Sequence, residues 1–412
     1  MTSNQRQWDR RKFCRNSMAA IALGTSVFQA KAPGQSIVRQ EDASKLIAGK
    51  DSRLIVLKKA PAVFETPLEL LTDELTPTEL LFVRNNQQPK AMESTKPVDD
   101  KNWRVDLTGL LNRNASVTLE MLRAMPQLSV DMVLQCSGNG RALYSKTAQT
   151  KGTQWGRGGF GCVRFGGVAV SNLMESLGVE PFHNAAFVKA EGKDRPVDGA
   201  EDFLHSLPID DFLNRSMLAI EMNGKPIPAI HGGPVRLVTP GVYATMNLKW
   251  LGHLTFEKKE STNYNHLPRY RVPKKRIKPG TDFQFTLGNS SFNWNMKTKS
   301  IVLKPSDQSE CKTGRQSVEG LAFNDGGCKI SSVLVSSDQG ANWKKAKLSH
   351  PQSKYAWTRF RAEVTIRRGN QEIWTRAIDE RGRSQPLDGS ITWNPRGYEW
   401  NGVEKVVVVG KD

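Results

Sequence analysis

Short apolar runs alternate with amphipathic stretches from about residue 66 to residue 255, and glycine-rich turns separate them. Residues 118–125 predict a helix and 129–135 a strand within this region. The pattern changes after Pro273-Lys274-Lys275-Arg276-Ile277-Lys278-Pro279-Gly280, a basic stretch with two prolines. Beyond it the chain predicts repeated strands at 331–336, 358–366, 373–378 and 403–409, several with apolar residues at every second position. Asp338-Gln339-Gly340 reads as a hairpin turn, and the Trp343 that follows is expected in the core. The second half therefore predicts an antiparallel β-sandwich.

The chain has 412 residues, enough for two domains, and its 38% hydrophobic content supplies a core for each. The first thirty or so residues read differently. Arg10-Arg11-Lys12-Phe13 precedes an uncharged run over 18–28, and Ala30-Lys31-Ala32 supplies small residues at a cleavage point. Paired arginines before an apolar run are the twin-arginine pattern, which implies periplasmic export of a folded, cofactor-loaded protein. The run is too short for a permanent anchor, so no membrane span is expected. Residues 1–32 are thus assigned to a signal, 33–65 to an N-terminal extension, 66–272 to a first domain, 273–282 to a linker and 283–412 to the sandwich.

Formal charge is +18, or about +13 once residues 1–31 are set aside with their six basic and one acidic residues. Such an excess suits an acidic partner or an anionic substrate, and export argues against nucleic acid. The clusters Lys258-Lys259, Arg269 to Arg276 and Lys344-Lys345-Lys347 read as solvated faces. Five cysteines become four without Cys14, and none shows haem-attachment or zinc spacing. Cys311 and Cys328 are the candidate disulfide pair in an oxidising compartment.

Val133-Leu134-Gln135-Cys136-Ser137-Gly138-Asn139-Gly140-Arg141 puts one cysteine where an apolar strand turns through small residues, with an arginine five positions on. A guanidinium there favours thiolate, the form that binds soft metals. Alone, such a cysteine reads first as a small buried residue. Cys162, soon after Trp155-Gly156-Arg157-Gly158-Gly159, is read as a packed core residue.

The cysteine segment does not stand alone. It resembles the molybdenum-ligand segment of the sulfite oxidase family of molybdopterin enzymes. Leu81-Phe82-Val83-Arg84-Asn85-Asn86, the Trp155 segment, His231-Gly232-Gly233-Pro234-Val235-Arg236, Leu248-Lys249-Trp250-Leu251 and Trp393-Asn394-Pro395-Arg396-Gly397 are similar to further family segments, in the family's order. The resemblance implies an α+β protein: a mixed α/β molybdopterin-binding domain followed by an immunoglobulin-like antiparallel β-sandwich.

By resemblance the cofactor is a molybdenum–molybdopterin with Cys136 as the metal's thiolate ligand, and this chain carries no haem. Arg84, Asn85, Asn86, Asp194, His231, Arg236 and Lys249 match cofactor-binding positions. Arg84, Arg141 and Arg396 match a substrate-anion pocket, with Trp155 as its wall and Tyr270 placing a hydroxyl beside the metal. The family commonly has histidine where Asn86 stands, which puts one hydrogen bond of the pocket in doubt. If Arg396 reaches the metal, the sandwich must pack over the first domain. The implied activity is periplasmic sulfite oxidation with a separate c-type cytochrome as acceptor, in a homodimer or a heterodimer with a cytochrome subunit. Within the class, sulfane dehydrogenase, a methionine sulfoxide reductase and the molybdenum domain of nitrate reductase are rivals. A metal-free exported binding protein is the rival outside it.

Overall fold

The computed structural model describes residues 42–87, 94–194 and 201–412. The expected export signal and Cys14 lie outside them. The predicted helix forms as Leu119–Ala124, capped where the Thr118 hydroxyl accepts from Met121 N at 3.2 Å. The predicted strand forms as Leu128–Gln135. Its apolar run is continuous because both faces are covered. Met132 and Leu134 face the cluster that contains Cys136, while Val133 faces Phe160, Phe323 and Trp357.

Two five-stranded sheets build the first domain. In one, Leu128–Gln135, Phe160–Ala169 and Met217–Met222 pair antiparallel, with Lys225–Pro226 and Arg236–Val238 flanking Met217–Met222. In the other, Arg104–Gly109 runs parallel to Leu251–Glu257, and the remaining pairs are antiparallel. Helices Leu119–Ala124, Val170–Leu177 and Ile209–Arg215 cover a core of Val105, Leu107, Leu173, Phe212, Leu218 and Leu254, all essentially unexposed.

The second domain is the expected sandwich. Its four-stranded sheet runs Lys299–Lys304, Gly314–Phe323, Thr358–Ile366, Lys347–Leu348, and its five-stranded sheet runs Ser309–Lys312, Glu404–Lys411, Gly369–Asp379, Ile330–Ser336, Lys344–Lys345. Alternation along Gly369–Asp379 and Glu404–Lys411 sends Ile373, Ala377, Val406 and Val408 inward. One pair departs from the antiparallel expectation, since Ser309–Lys312 lies parallel to Glu404–Lys411.

Four side chains differ from expectation. Trp343 is half-buried and packs over Gly340 at the hairpin, outside the apolar cluster, because Val333, Val335 and Phe360 already fill the space between the sheets. Cys311 and Cys328 are free thiols. Cys311 sits on the parallel edge strand, whereas the Cys328 sulfur accepts from Arg383 and Asn324, so neighbouring charges and amides occupy it. Arg271, expected on a solvated face, is 1% exposed and pairs with Glu260. Lys258, Lys259, Lys344, Lys345 and Lys347 are exposed, as expected.

The described residues form one contact unit, and the two domains share an apolar seam. Phe160 stacks on Phe323 at 5.5 Å and meets Trp357 edge-on at 6.1 Å. Cys162 lies fully buried in this seam, and burial pushes its thiol up to about 12, so it is the packed core residue expected.

Candidate active site

Where Leu128–Gln135 ends, the backbone makes a tight turn. Cys136 N donates to Gly159 O at 2.9 Å, Asn139 N to Cys136 O at 3.0 Å, and Arg141 N to Gly138 O at 3.0 Å. Gly140 has φ +87°, and a Cβ there would lie 2.6 Å from the Trp400 ring, so only glycine fits. Helix Arg141–Ser145 starts directly after it. The opposite wall is the loop of Trp155 to Gly159. Glu65 holds that loop, its carboxylate accepting from Gly156 N at 2.9 Å and Gly158 N at 2.7 Å. Trp155 is fully buried, edge-on to Phe82 at 5.9 Å.

Two adjoining cavities meet at Cys136. The inner one, about 690 Å³, is lined by Arg84, Asn85, Asn86, Asp194, His231, Arg236 and Lys249, so all seven residues expected around a pterin face one space. The outer one, about 1150 Å³, is lined by Arg84, Arg141, Trp155, Tyr270 and Arg396. Arg84, Asn86, Cys136 and Tyr270 line both.

Charge in the inner cleft is unbalanced. Lys249 Nζ donates to Asn85 Oδ1 at 2.6 Å and to Ile230 O at 2.7 Å, and Arg236 Nη1 to His231 O at 2.8 Å. Lys50 Nζ donates to Leu81 O at 2.7 Å and lies 3.2 Å from His231 Nε2. Burial pulls Lys50 down to about 7 and Arg236 to about 9, and it drives Lys249 and His231 well below their ordinary values. Among the described residues Asp194 is the one carboxylate lining the cleft, and burial pushes it up to about 7. Desolvated cations without counter-charge are costly, and a buried anion relieves that cost.

Polar atoms with no partner mark the two cavities: Asn85 Nδ2 and Ser137 Oγ at the inner one and Trp155 Nε1 at the outer one are buried and unbonded. A phosphate-bearing, hydrogen-bonding pterin beside a single soft thiolate meets each of these demands. The residues present therefore fit the molybdenum–molybdopterin group.

At the outer cavity Lys58, Arg84, Arg141, Lys151, Arg269 and Arg396 contribute positive charge, and no carboxylate lines it among the described residues. Arg141 is 6% exposed; its Nε donates to Arg396 O at 2.8 Å, its Nη1 to Thr153 O at 2.7 Å, and its guanidinium lies over the Tyr398 ring. The Tyr398 ring in turn stacks on Tyr270 at 5.3 Å. Asn86 Nδ2 donates to the Tyr270 hydroxyl at 2.9 Å, and its Oδ1 accepts from Arg269 at 2.9 Å and from Arg84. The amide thus joins three groups of the pocket.

Arg396 comes from the second domain, as expected. Its segment is fastened to the first by Lys151 N to Pro395 O at 2.9 Å, Trp393 Nε1 to Ala148 O at 2.9 Å and Glu399 N to Ser137 O at 2.8 Å. Gly397, at φ +60°, passes so near Arg141 that a Cβ would sit 2.5 Å from its Cγ. Sequence reasoning missed Lys50, Glu65, Arg269 and Tyr398. Arg269 and Tyr398 each adjoin a matched segment in the chain, whereas nothing local to Lys50 or Glu65 signals its role.

The fold and the site define a molybdopterin oxidoreductase. Residues 92–265 match the family model for an oxidoreductase molybdopterin binding domain, and 290–410 match that for a Mo-co oxidoreductase dimerisation domain. The chain is 31% identical to sulfite oxidase of Gallus gallus over 371 residues, covering 86% of this chain and 78% of that one. It is 30% identical to mitochondrial sulfite oxidase of Rattus norvegicus over 369 residues, covering 86% of this chain but only 65% of the rat protein's length. The crystal structure of the sulfane dehydrogenase SoxCD from Paracoccus pantotrophus superposes with a TM-score of 0.72 over 94% of this chain and 93% of that one, at 24% identity, and so shares the fold. The chain belongs to the sulfite oxidase family, and its cofactor is a molybdenum–molybdopterin.

Proposed function

We propose that this enzyme oxidises sulfite to sulfate and passes the electrons singly to a separate c-type cytochrome. The observation that carries the reading is the outer cavity, where, among the described residues, six cationic side chains and no carboxylate converge beside Cys136. Sulfite is a small dianion. Each guanidinium about 4 Å from a unit charge contributes roughly 4 kcal/mol at an effective dielectric near 20. Planar forks from Arg84, Arg141 and Arg396 orient its oxygens without losing charge. The relatives named sulfite oxidase support the same substrate class.

When bound, the molybdenum–pterin group supplies oxygen-atom transfer and stores two electrons. Cys136 would hold the metal as thiolate. His231, Arg236 and Lys249 would meet the pterin phosphate, with Lys50 behind His231, and Asp194 would hold the pterin ring. Tyr270, fixed by Asn86 and by the Tyr398 ring, presents its hydroxyl between the two cavities. Fully buried Trp155 closes one side against water.

The reading further includes twin-arginine export, periplasmic location and assembly as a dimer, which the matched dimerisation domain supports. No helix among the described residues is long and apolar enough to cross a membrane. The test is turnover of purified, molybdenum-loaded protein with sulfite, thiosulfate, nitrate and a sulfoxide, with cytochrome c or ferricyanide as acceptor for the first two. Sulfite oxidation exceeding all others is expected; preference for thiosulfate or reduction of nitrate would overturn the proposal.

A further inference from the structure

Behind the inner cleft, away from Cys136, two histidines are buried at 0% exposure and bonded to one another. His205 lies on strand Leu204–Pro208, and His266 lies in the irregular helical turn Asn265–Arg269. Their Nδ1 atoms are 3.2 Å apart. On the inner side, His205 Nε2 is 3.3 Å from the hydroxyl of Thr245, which lines the cleft. On the outer side, His266 Nε2 is 2.8 Å from Glu260 Oε1, whose side chain is 16% exposed. Every ring nitrogen of both histidines is therefore engaged in one unbranched line from cleft to surface.

The line has a determined polarity. Desolvation works to raise the Glu260 carboxyl, but hydrogen bonds from His266 and Arg271 outweigh it and hold the group below its ordinary value. An ionised Glu260 only accepts, so His266 Nε2 carries the proton toward it. Burial lowers both His266 and His205, and the charge of Arg269 lowers His205 further, so both rings are neutral at pH 7. A neutral His266 protonated at Nε2 has a lone pair at Nδ1. That lone pair accepts from His205 Nδ1–H, which leaves His205 Nε2 free to accept from Thr245. Each of the three links then has one donor and one acceptor, all pointing outward. The other groups packed on the rings are Phe203 and Tyr270 on His205, Phe292 on His266, and the cation Arg271 across Glu260.

We propose that Thr245, His205, His266 and Glu260 are a proton conduit from the molybdopterin cleft to the surface. The inference rests on the oxidation proposed above. Sulfite and water give sulfate, two protons and two electrons, and the electrons leave one at a time to the one-electron protein acceptor. A proton leaving the cleft bonds to Thr245 Oγ as the hydroxyl proton passes to His205 Nε2. The His205 Nδ1 proton passes to His266 Nδ1, and the His266 Nε2 proton passes to Glu260 and then to solvent. One proton enters, one leaves, and no charge is stranded inside. Both rings then hold the opposite tautomer and reset before the next proton.

Two measurements on the molybdenum-loaded enzyme test this. The first is nitrogen NMR of histidine-labelled protein, assigned with His205→Gln and His266→Gln. It should show two neutral rings, Nδ1–H at His205 and Nε2–H at His266. A charged ring, or either ring in the other tautomer at neutral pH, overturns the conduit whatever the substrate is. The second is double-mixing stopped flow, in which the enzyme is first reduced with sulfite and then mixed with ferricyanide, following ferricyanide absorbance and a pH dye together. In His266→Gln and Glu260→Gln, proton appearance should lag ferricyanide reduction and slow roughly tenfold or more against the unaltered chain. Thr245→Val, nearly isosteric, should do the same if the glutamine variants lose their fold. Proton release at the unaltered rate in every folded variant refutes the conduit. Failure of sulfite to reduce the unaltered enzyme refutes the substrate instead, and leaves the NMR result to decide the conduit.

Discussion

Arg396→Met removes a guanidinium that donates no hydrogen bond to the described residues and lies over the Phe285 ring at 5.8 Å. Methionine keeps most of the stem, and the Arg396 carbonyl that binds Arg141 is backbone, so the interdomain fastening survives. Against a dianion about 4 Å away, one positive charge contributes roughly 2 kcal/mol in water and roughly 8 kcal/mol at a dielectric near 20. Arg396 is partly exposed, so solvent screening places the loss near the lower bound, about 2–3 kcal/mol. The KM for sulfite should then rise roughly thirty- to one-hundred-and-fifty-fold, with a much smaller change in kcat. Steady-state kinetics at two ionic strengths measures this. The variant should also lose some of the salt dependence of kcat/KM, because the missing charge no longer steers the anion. A KM within twofold of the unaltered enzyme, with unaltered salt dependence, would show that the outer cavity does not bind the substrate anion.

Cys136→Ser should abolish sulfite turnover while leaving the melting temperature close to that of the unaltered chain, since serine is nearly the size of cysteine and the turn's hydrogen bonds are made by the backbone; turnover and a thermal melt check both halves. Gly397→Ala forces a non-glycine residue to φ +60° and a Cβ into Arg141 and Thr150, so it should cost about 1–2 kcal/mol in a denaturant melt and raise the KM for sulfite. Asp194 has its folded pKa raised from 3.8 to about 7, so the stability its neutral form contributes is present below about pH 4 and is lost as pH rises through about 7. Melts of cofactor-free Asp194→Asn should accordingly decline less across that window than those of the unaltered chain.

Local pattern sufficed where burial follows periodicity. The strand at 358–366 appears at those residues, and the continuous apolar run before Cys136 reflects a strand covered on both faces. The site was legible only as far as segments resembled known ones, which brought out Cys136, Lys249 and Arg396. Lys50 and Glu65 act across 181 and 93 positions, on His231 and Gly158, and no spacing rule spans such distances. Arg269 and Arg271 show the opposite failure. A basic run reads as solvated, yet its first residues turn inward because Asn86 and Glu260 await them. The free Cys311 and Cys328 show that nearness in sequence does not bring thiols together when the strands between them diverge.

The division of the site between two domains separates two kinds of evolutionary change. The residues around the inner cleft all belong to the first domain, whereas the outermost arginine arrives on a segment of the second, held largely through backbone carbonyls and amides. Apart from Trp393 and Gly397, side chains on that segment can therefore be exchanged with little loosening of its attachment. A lineage could retune which anion is accepted by altering residues near 396 while the machinery that seats the cofactor stays untouched.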